Sequence, residues 1–288
     1  MSRPRRAEGI ASLVRRALAE DRVGRDRTTR ALFPGPVPAE GVVVAQAAGV
    51  LSGMEAVRSV ARTARLRLTF ARRDGSRLVR GRVVARLRGD ARDLLAVERT
   101  ILNFLMHASG VATETARAVR AARGPAGSLE IWATRKTLPG LRDLEKAAVA
   151  HGGGHPHRRD LAAAVLVKNN HLALLPIRDA VRRARRAARP HEPVEVEIRT
   201  ARQALAAARA GATTLLIDNA TPTRARAIVR ALQRAGLRRG RRIELSGGIT
   251  PDRVRRYRST GADMASLGAL THSAPALPFH LSLRRTTP

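Results

Sequence analysis

The chain has 288 residues, of which 44% are hydrophobic and 27% charged, and it carries a formal net charge of +32. This length and apolar content are typical of a globular protein with one large or two smaller domains, and they exclude a disordered chain. Cysteine is absent, which excludes disulfides and thiol chemistry and predicts a cytoplasmic protein.

The positive charge raises the question of nucleic-acid binding. Aromatic residues make up only 2% of the chain, which leaves few side chains for base stacking. The arginines are spread over nearly every predicted helix, and the densest run, 178–190, fits the exposed face of an amphipathic helix. We therefore expect no specific nucleic-acid partner. No apolar run is as long as a membrane span, so no membrane partner is expected either.

The first part of the chain predicts a helix and a small sheet. Residues 7–20 have the pattern of an amphipathic helix, and Asp26 with Thr28 and Thr29 is typical of a helix cap. Residues 91–122 are apolar at helical spacing and predict one or two long helices. Three apolar segments between glycine turns predict a small antiparallel sheet: 42–53, 66–75 and 81–90.

From residue 129 onward, apolar strands alternate with helices. The six predicted strands are 129–134, 163–168, 194–198, 213–218, 243–246 and 263–267. Alternation of this kind predicts a parallel sheet built from right-handed units. We interpret it as an α/β barrel, with an open doubly wound sheet as the alternative.

Polar residues end almost every one of these strands, and the active site of a barrel forms at that edge. They are Arg135, Lys136, Lys168, Glu197, Asp218, Ser246 and Gly268. Of the 55 basic residues only three are lysine. Ammonium is a compact point charge, unlike guanidinium, so we interpret Lys136 and Lys168 as required by chemistry. Lys146, on the intervening helix, is interpreted as an ordinary surface residue.

The acids and turns at this edge point to a phosphorylated substrate. Glu197 and Asp218 end successive strands, and paired carboxylates near phosphate sites are suited to hold Mg²⁺. Two glycine turns can bind phosphate through exposed backbone amides. One is at 246–250, before a helix predicted to start at Pro251, and the other is at 266–273. Two such turns with acids and lysines nearby indicate a substrate with more than one anionic group.

The segment HGGGHPH offers a different interpretation, a zinc site. Four histidines have ligand-like spacing: His151, His155, His157 and His171. No neighbouring cysteine or carboxylate in the sequence completes such a site, and Arg158 would repel a cation. A hydrolase oxyanion loop is also rejected, because the chain has no G-x-S-x-G elbow.

Several motifs together resemble the quinolinate phosphoribosyltransferase family: ERTILNFLMHASGVAT, TRKTLPGLRDLEKAAVAHGGGHPHR, VLVKNNH, VEVEI, IDN, SGGIT and SLGALTHS. The resemblance covers nearly the whole chain, from 26 to 272. It implies an N-terminal α/β sandwich domain (1–112) and an incomplete, six- or seven-stranded α/β barrel of the type II phosphoribosyltransferases (113–272). The tail, 273–288, is expected to pack back on the first domain. A homodimer with shared active sites is implied, with a hexamer as the larger alternative.

The reaction implied by this resemblance joins quinolinate to phosphoribosyl pyrophosphate with Mg²⁺, releasing pyrophosphate and CO₂ and giving nicotinate mononucleotide for NAD biosynthesis. No organic cofactor is needed. The implied catalytic residues are Lys136, Lys168, Glu197 and Asp218, of which Glu197 and Asp218 would face the metal and ribose. The implied substrate-binding residues are Arg99, Arg135, His157, Arg158, His171, Ser246, Gly247, Gly248 and Gly268.

Within that set, the resemblance assigns roles by position. Arg135, His157 and Arg158 would hold the pyridine carboxylates, and Arg99 would reach the same pocket from the partner subunit. Ser246, with the glycines at 247 and 268, would hold the 5′-phosphate.

Three positions depart from the family pattern: Pro156 replaces Asn, Ala163 replaces Asp, and Asn169 replaces Asp. Because they flank His157, Arg158 or Lys168 in the sequence, we expect the acceptor side of the site to differ and the phosphoribosyl side to be retained. A divergent paralogue acting on another pyridine- or azole-carboxylate is therefore an alternative function. A non-catalytic protein that binds a phosphoribosyl ligand is a third, although it would not need both lysines and both acids.

Overall fold

The computed structural model describes residues 3–125 and 127–286. The α-helices in these ranges are α1 (Arg3–Glu20), α2 (Arg27–Leu32), α3 (Met54–Thr63), α4 (Ala91–Ala122), α5 (Arg142–His151), α6 (Asn169–Leu172), α7 (Ile177–Ala187), α8 (Ala201–Arg209), α9 (Pro222–Arg234) and α10 (Ala269–His272). The strands are β1 (Pro38–Ala45), β2 (Gly49–Val50), β3 (Arg67–Ala71), β4 (Arg77–Leu78), β5 (Val83–Asp90), β6 (Glu130–Trp132), β7 (Val165–Val167), β8 (Val194–Ile198), β9 (Thr214–Asp218), β10 (Arg242–Ser246), β11 (Met264–Ser266) and β12 (Phe279–Arg285).

The chain forms two compact units. The first contains residues up to 116, residues 138–153 and residues from 274 onward. The second contains residues 117–137 and 154–273. No helix among the described residues is both long enough and apolar enough to cross a membrane.

The first unit is built on a four-stranded antiparallel sheet in the order β12-β1-β5-β3. Val43, at the centre of β1, is fully buried and pairs with Leu281 on one side and Ala85 on the other. Burial alternates along the second half of β1, from Gly41 to Ala45, as expected for a sheet with one face on the core. The predicted cap is confirmed, since the Asp26 carboxylate accepts the backbone N–H of Thr29 at 3.0 Å.

One prediction in this unit is wrong. Lys146 is only 7% exposed and is not an ordinary surface residue. It lies in α5, whose residues from 144 to 149 are all buried. Because most of the circumference of this ten-residue helix is covered, some of its polar residues, including Lys146, are necessarily buried.

The second unit is built on a six-stranded parallel sheet in the order β6-β11-β10-β9-β8-β7. From β7 to β11 the strands follow chain order, and β6, the first in sequence, pairs with β11, the last. This is the cyclic order of an α/β barrel that is open between β6 and β7. At the free edge of β6, His155 forms a single parallel bridge with Trp132. The expected incomplete barrel is confirmed.

The loops that follow the parallel strands place the carboxyl ends of the strands and the first residues of the next helices at the same edge of this sheet. Thr200 caps α8 by accepting the N–H of Gln203 at 3.1 Å, and Thr221 caps α9, which begins with Pro222. The helix predicted from Pro251 begins later and is of the 3₁₀ type, Val254–Thr260. Backbone N–H groups there, such as that of Arg256, bond to the carbonyl three residues earlier.

Candidate active site

Two carboxylates meet at the carboxyl ends of β8 and β9. Glu197 and Asp218 lie on neighbouring strands, and Asn169, the first residue of α6, connects them. The Asn169 backbone N–H donates to Glu197 Oε2 at 3.1 Å, and its side-chain Nδ2 donates to Asp218 Oδ2 at 3.4 Å. Lys168 Nζ lies 3.6 Å from Glu197 Oε2. The structure therefore brings together the predicted acids and one predicted lysine.

Arg199 also contacts one acid of this pair, Asp218, and it was not predicted from the sequence. Its Nε and Nη2 donate to Asp218 Oδ2 at 3.1 and 3.0 Å. Glu197 and Asp218 are mostly buried, with side chains 11% and 12% exposed. Two nearby carboxylates with hard oxygen donors suit a Mg²⁺ ion, so this donor set fits the expected metal.

Two arginines form the cationic side of the site. Arg135 follows β6, and its Nε is buried with no hydrogen-bond partner among the described residues. Burial lowers the pKa of Arg158, and the nearby positive charge of Arg135 lowers it further. Arg158 uses Nη1 to donate to the carbonyl of Ala164 at 3.3 Å. Two close guanidinium groups, one with a buried unused donor, indicate a site for an anion.

Lys136 lies beside the loop that follows β11. Thr271 Oγ1 donates to the Lys136 carbonyl at 2.7 Å. A Cβ atom added to Gly268 would lie 2.9 Å from both Lys136 Cδ and His272 Nε2. The predicted Lys136 and Gly268 are therefore neighbours, and a larger residue at 268 would have to displace the lysine or histidine side chain.

The turn after β10 has the backbone of an anion cradle. Gly247 and Gly248 have φ of 92° and 62°. A Cβ at Gly247 would lie 2.2 Å from Asn219 Oδ1, so a side chain cannot be accommodated. Ser266 Oγ donates to Ser246 Oγ at 3.0 Å. A cavity of about 490 Å³ adjoins this turn, and its lining includes Gly247, Thr221, Arg253, Arg256 and Tyr257.

The four histidines considered as zinc ligands have separate partners. His151 Nδ1 lies 2.8 Å from Ser52 Oγ, and His155 stacks on Trp132 with ring centroids 4.7 Å apart. His171 Nδ1 accepts the backbone N–H of Lys168, the residue that precedes α6, at 2.9 Å. His171 therefore helps to cap α6.

His157 has acidic neighbours that were not predicted from the sequence. Its Nε2 lies 3.4 Å from Glu244 Oε2 and 3.9 Å from Glu195 Oε2, both on interior strands. The expectation that no carboxylate stands near these histidines is therefore wrong. Burial, together with the negative charge of Glu244, raises the pKa of Glu195 to about 9.

Strand alternation could have identified both of these acids. Glu195 and Glu197 are two residues apart on β8, and Glu244 and Ser246 are two apart on β10. Residues at that spacing point to the same face of a sheet. The sequence alone therefore indicates that a glutamate two residues before a predicted site residue, on the same strand, points towards the site.

Asn169 contacts both acids. Its bonds to Glu197 and Asp218 place this departure against the acids predicted to face the metal and ribose, while the expected change on the acceptor side stays a prediction. The position of Asn169 in the sequence, near Lys168 and after His157, does not specify which side chains it contacts in the fold.

Arg99 belongs to the first unit and is exposed on α4. It lines a cavity of about 630 Å³ together with Arg22, Arg25, Arg27, Arg30, Asp21, Asp26, Val23, Leu95 and Ala96. Five arginines around one cavity give this surface a strong positive charge.

Two family models match most of the chain. The model of the quinolinate phosphoribosyl transferase N-terminal domain matches residues 26–109, and that of the C-terminal domain matches residues 111–282. The chain belongs to the quinolinate phosphoribosyltransferase family. It is thus a member of an enzyme family whose fold matches the two units described above.

Two relatives show how much of the chain is shared. The chain is 39% identical over 276 residues to the probable nicotinate-nucleotide pyrophosphorylase (carboxylating) of Methanothermobacter thermautotrophicus, covering 96% of this chain and 99% of that protein. It is 38% identical to the human nicotinate-nucleotide pyrophosphorylase (carboxylating), covering 95% and 91%. The crystal structure of NadC from Streptococcus pyogenes aligns with a TM-score of 0.86 at 35% identity, covering 96% of this chain and 97% of that one.

Proposed function

We propose that this chain transfers the phosphoribosyl group of phosphoribosyl pyrophosphate to quinolinate, with loss of CO₂, to give nicotinate mononucleotide in NAD biosynthesis. The observation that carries the proposal is the division of the barrel edge into two parts. Arg135 and Arg158 form a cationic part with an unused buried donor. Glu197 and Asp218 form an acidic part, with Asn169 between them. Relatives that share nearly the whole chain are named for the carboxylating reaction.

The cationic part suits an acceptor with carboxylate groups. Guanidinium presents paired donors that match the two oxygens of a carboxylate. Arg135 and Arg158 repel one another and are partly buried, so a bound dicarboxylate relieves both the repulsion and the unmet hydrogen-bonding capacity. The ring nitrogen of quinolinate is then held towards the ribose.

The acidic part suits the ribose and its leaving group. The lone pair of the ring nitrogen forms the bond to C1 of ribose as the bond from C1 to the pyrophosphate oxygen breaks. Positive charge that develops at C1 is stabilised by Glu197 and Asp218, while Lys136 and Lys168 offset charge on the departing pyrophosphate. The positively charged ring then accepts the electron pair of the adjacent carboxylate as CO₂ leaves, and a proton takes its place.

Glu197 and Asp218 are the residues that would hold Mg²⁺. When bound, the ion neutralises charge on the phosphate oxygens. Ser246, Gly247 and Gly248 would hold the 5′-phosphate through the turn after β10, with the cavity beside it open to the phosphates.

The assembly is part of the proposal. Arg99 acts in the site of a partner subunit within a homodimer, which is consistent with its exposure and its arginine-lined cavity. The hexamer and the cytoplasmic location stay predictions.

The test is an assay with phosphoribosyl pyrophosphate, Mg²⁺ and a panel of pyridine and azole carboxylates, with products read by mass spectrometry. We expect pyrophosphate, CO₂ and nicotinate mononucleotide from quinolinate, and loss of turnover when EDTA removes Mg²⁺. Turnover that EDTA leaves unchanged, or no turnover with any aromatic acid, would contradict the proposal.

The same panel tests a second candidate, transfer to a different pyridine- or azole-carboxylate. One observation favours it: Pro156 departs from the family pattern directly before His157, whose backbone is left-handed with a φ of 56°. A product from another acid, formed faster than nicotinate mononucleotide, would establish this alternative.

A further inference from the structure

The proposed reaction leaves two buried acids of the second unit without a role. Glu244 is 1% exposed and Glu195 is 7% exposed, and they lie on the interior strands β10 and β8. Both oxygens of Glu244 and Oε1 of Glu195 are buried with no hydrogen-bond partner among the described residues. Buried acid groups without hydrogen-bond partners are costly, so a fold that retains them needs a reason. Their nearest basic group is His157.

One possible reason is a metal ion. Single ligand atoms of His157, Glu195 and Glu244 lie within 4.8 Å of one another, as a coordination site would require. The hydrogen bonding of the ring argues against it. His157 Nδ1 accepts the backbone N–H of Arg158 at 2.7 Å, so the ring proton is on Nε2, the nitrogen that faces the acids. A protonated ring nitrogen has no free lone pair for a metal.

We infer that Glu244 is a positioning residue, whose carboxylate attracts the Nε2 edge of the His157 ring across 3.4 Å and thereby directs the neighbouring Arg158 into the acceptor pocket. The inference rests on the proposed function for the identity of that pocket. The 3.4 Å contact between Nε2 and the Glu244 carboxylate fixes one edge of the ring. The Nδ1 bond to the Arg158 backbone fixes the other edge to the residue that is being positioned.

The local backbone explains why such support is needed. His157 has a φ of 56°, a left-handed conformation that costs energy for a residue with a side chain. Trp132 contacts the ring edge-on, with centroids 5.7 Å apart. The strained turn sets the direction of Arg158, and the contacts of the ring with Glu244 and Trp132 stabilise that turn. His157 thus acts on Arg158 through the Nδ1 edge of its ring, while its Nε2 edge faces the glutamates.

The first measurement needs no variant of the glutamates. Selective ¹⁵N-histidine labelling, with the His157 signals assigned by comparison with His157→Asn, reports which ring nitrogen carries the proton. We expect the proton on Nε2 and none on Nδ1, as the hydrogen bond from the Arg158 backbone requires. A proton on Nδ1, or a ring signal that moves on titration with Zn²⁺ alone, overturns the inference, and the second result would make the cluster a metal site. This measurement tests the position of the ring proton even if the proposed function is wrong and no acceptor is turned over.

The second measurement uses Glu244→Gln, which keeps the shape of the side chain and removes its charge. We expect the KM for the acceptor to rise about tenfold or more, because the support of a charge-assisted contact is lost. The KM for phosphoribosyl pyrophosphate should stay within a few-fold. Glu40→Gln, which removes a buried carboxylate from the first unit, is the matched control for loss of stability. Equal changes in both KM values, or an unchanged acceptor KM, contradict the inference.

Discussion

Asn169 shows how one residue can change the acidic part of the site. It connects the two acids, since its N–H bonds to Glu197 and its Nδ2 bonds to Asp218. An aspartate at this position would keep the backbone bond and replace the amide donor with a third negative charge. Its effect should therefore appear in the binding of a cation more than in the binding of the acceptor.

We predict that Asn169→Asp lowers the Mg²⁺ concentration needed for half-maximal rate by about threefold or more, since a nearby carboxylate favours a divalent ion by about 1 kcal/mol. The acceptor KM should change little. Mg²⁺ titration of initial rates is the measurement, and Asn169→Ala, which removes the donor without adding charge, is the control. A changed acceptor KM with an unchanged Mg²⁺ requirement would show that position 169 acts on the acceptor side.

Gly247 is a second residue whose identity is fixed by its contacts. We predict that Gly247→Ala raises the KM for phosphoribosyl pyrophosphate about tenfold or more, because an added Cβ meets Asn219 Oδ1 at 2.2 Å and distorts the phosphate turn. Gly236→Ala is the matched control, since Gly236 also has a positive φ, 69°, but its Cβ would meet nothing within 4 Å. If both variants behave alike, backbone strain and not the clash is responsible.

At the scale of elements, one buried acid connects three strands of the first unit. Glu40 on β1 is 1% exposed and accepts hydrogen bonds from Arg88 on β5 at 2.8 Å and from Arg284 on β12 at 2.9 Å. Arg86 adds a longer contact at 3.3 Å. The Arg88 hydrogen bond is the largest cause that holds the Glu40 pKa below its ordinary value of 4.5, while burial opposes it.

We predict that Glu40→Gln lowers the free energy of unfolding by about 1–3 kcal/mol, because neighbouring arginines lose their shared acceptor. Urea denaturation measures this, and Glu20→Gln, at an exposed position on α1, should change stability by less than about 0.5 kcal/mol. The Glu40 pKa is lower in the folded state, so its contribution is present above about pH 4.5 and is lost as pH falls through the folded value. A variant with unchanged stability at neutral pH contradicts this account.

At the scale of the whole molecule, the question is whether one subunit contains a complete site. The predicted acids and lysines all lie in the second unit, whereas Arg99 lies in the first. In a dimer that shares its sites, each site combines Lys136 of one subunit with Arg99 of the other. A mixed dimer of an Arg99 variant and a Lys136 variant therefore distributes the two defects unequally between its two sites. One of its two sites then carries both defects and the other carries neither.

We predict that mixing inactive Arg99→Ala with inactive Lys136→Ala restores about a quarter of wild-type activity after subunit exchange, since half of the dimers are mixed and each has one intact site. Mixing Lys136→Ala with Lys168→Ala should restore none, because both defects are in the same unit. Exchange is followed by mass spectrometry of differently tagged subunits. Two results contradict a site shared through Arg99. One is equal recovery of activity in both mixtures, and the other is no recovery with Arg99→Ala and Lys136→Ala although subunit exchange is observed.

The sequence by itself determined the parallel α/β core and most of its site edge. Strand and helix periodicity are local patterns, so the six strands were predicted close to their observed bounds. Parallel strands end at one edge, which is why the sequence alone predicts Lys168, Glu197 and Asp218 close together. The Asp26 cap is equally local and was predicted for the same reason.

Only the tertiary structure decided which distant side chains meet. Glu195, Glu244 and His157 come from separate segments, and their contact depends on strand register and on a left-handed turn that local patterns do not specify. The burial of Lys146 depends on what covers α5, and the contacts of Asn169 depend on the order of β8 and β9. Local sequence sets the direction of each side chain along its own element, whereas its partners are set by packing between elements.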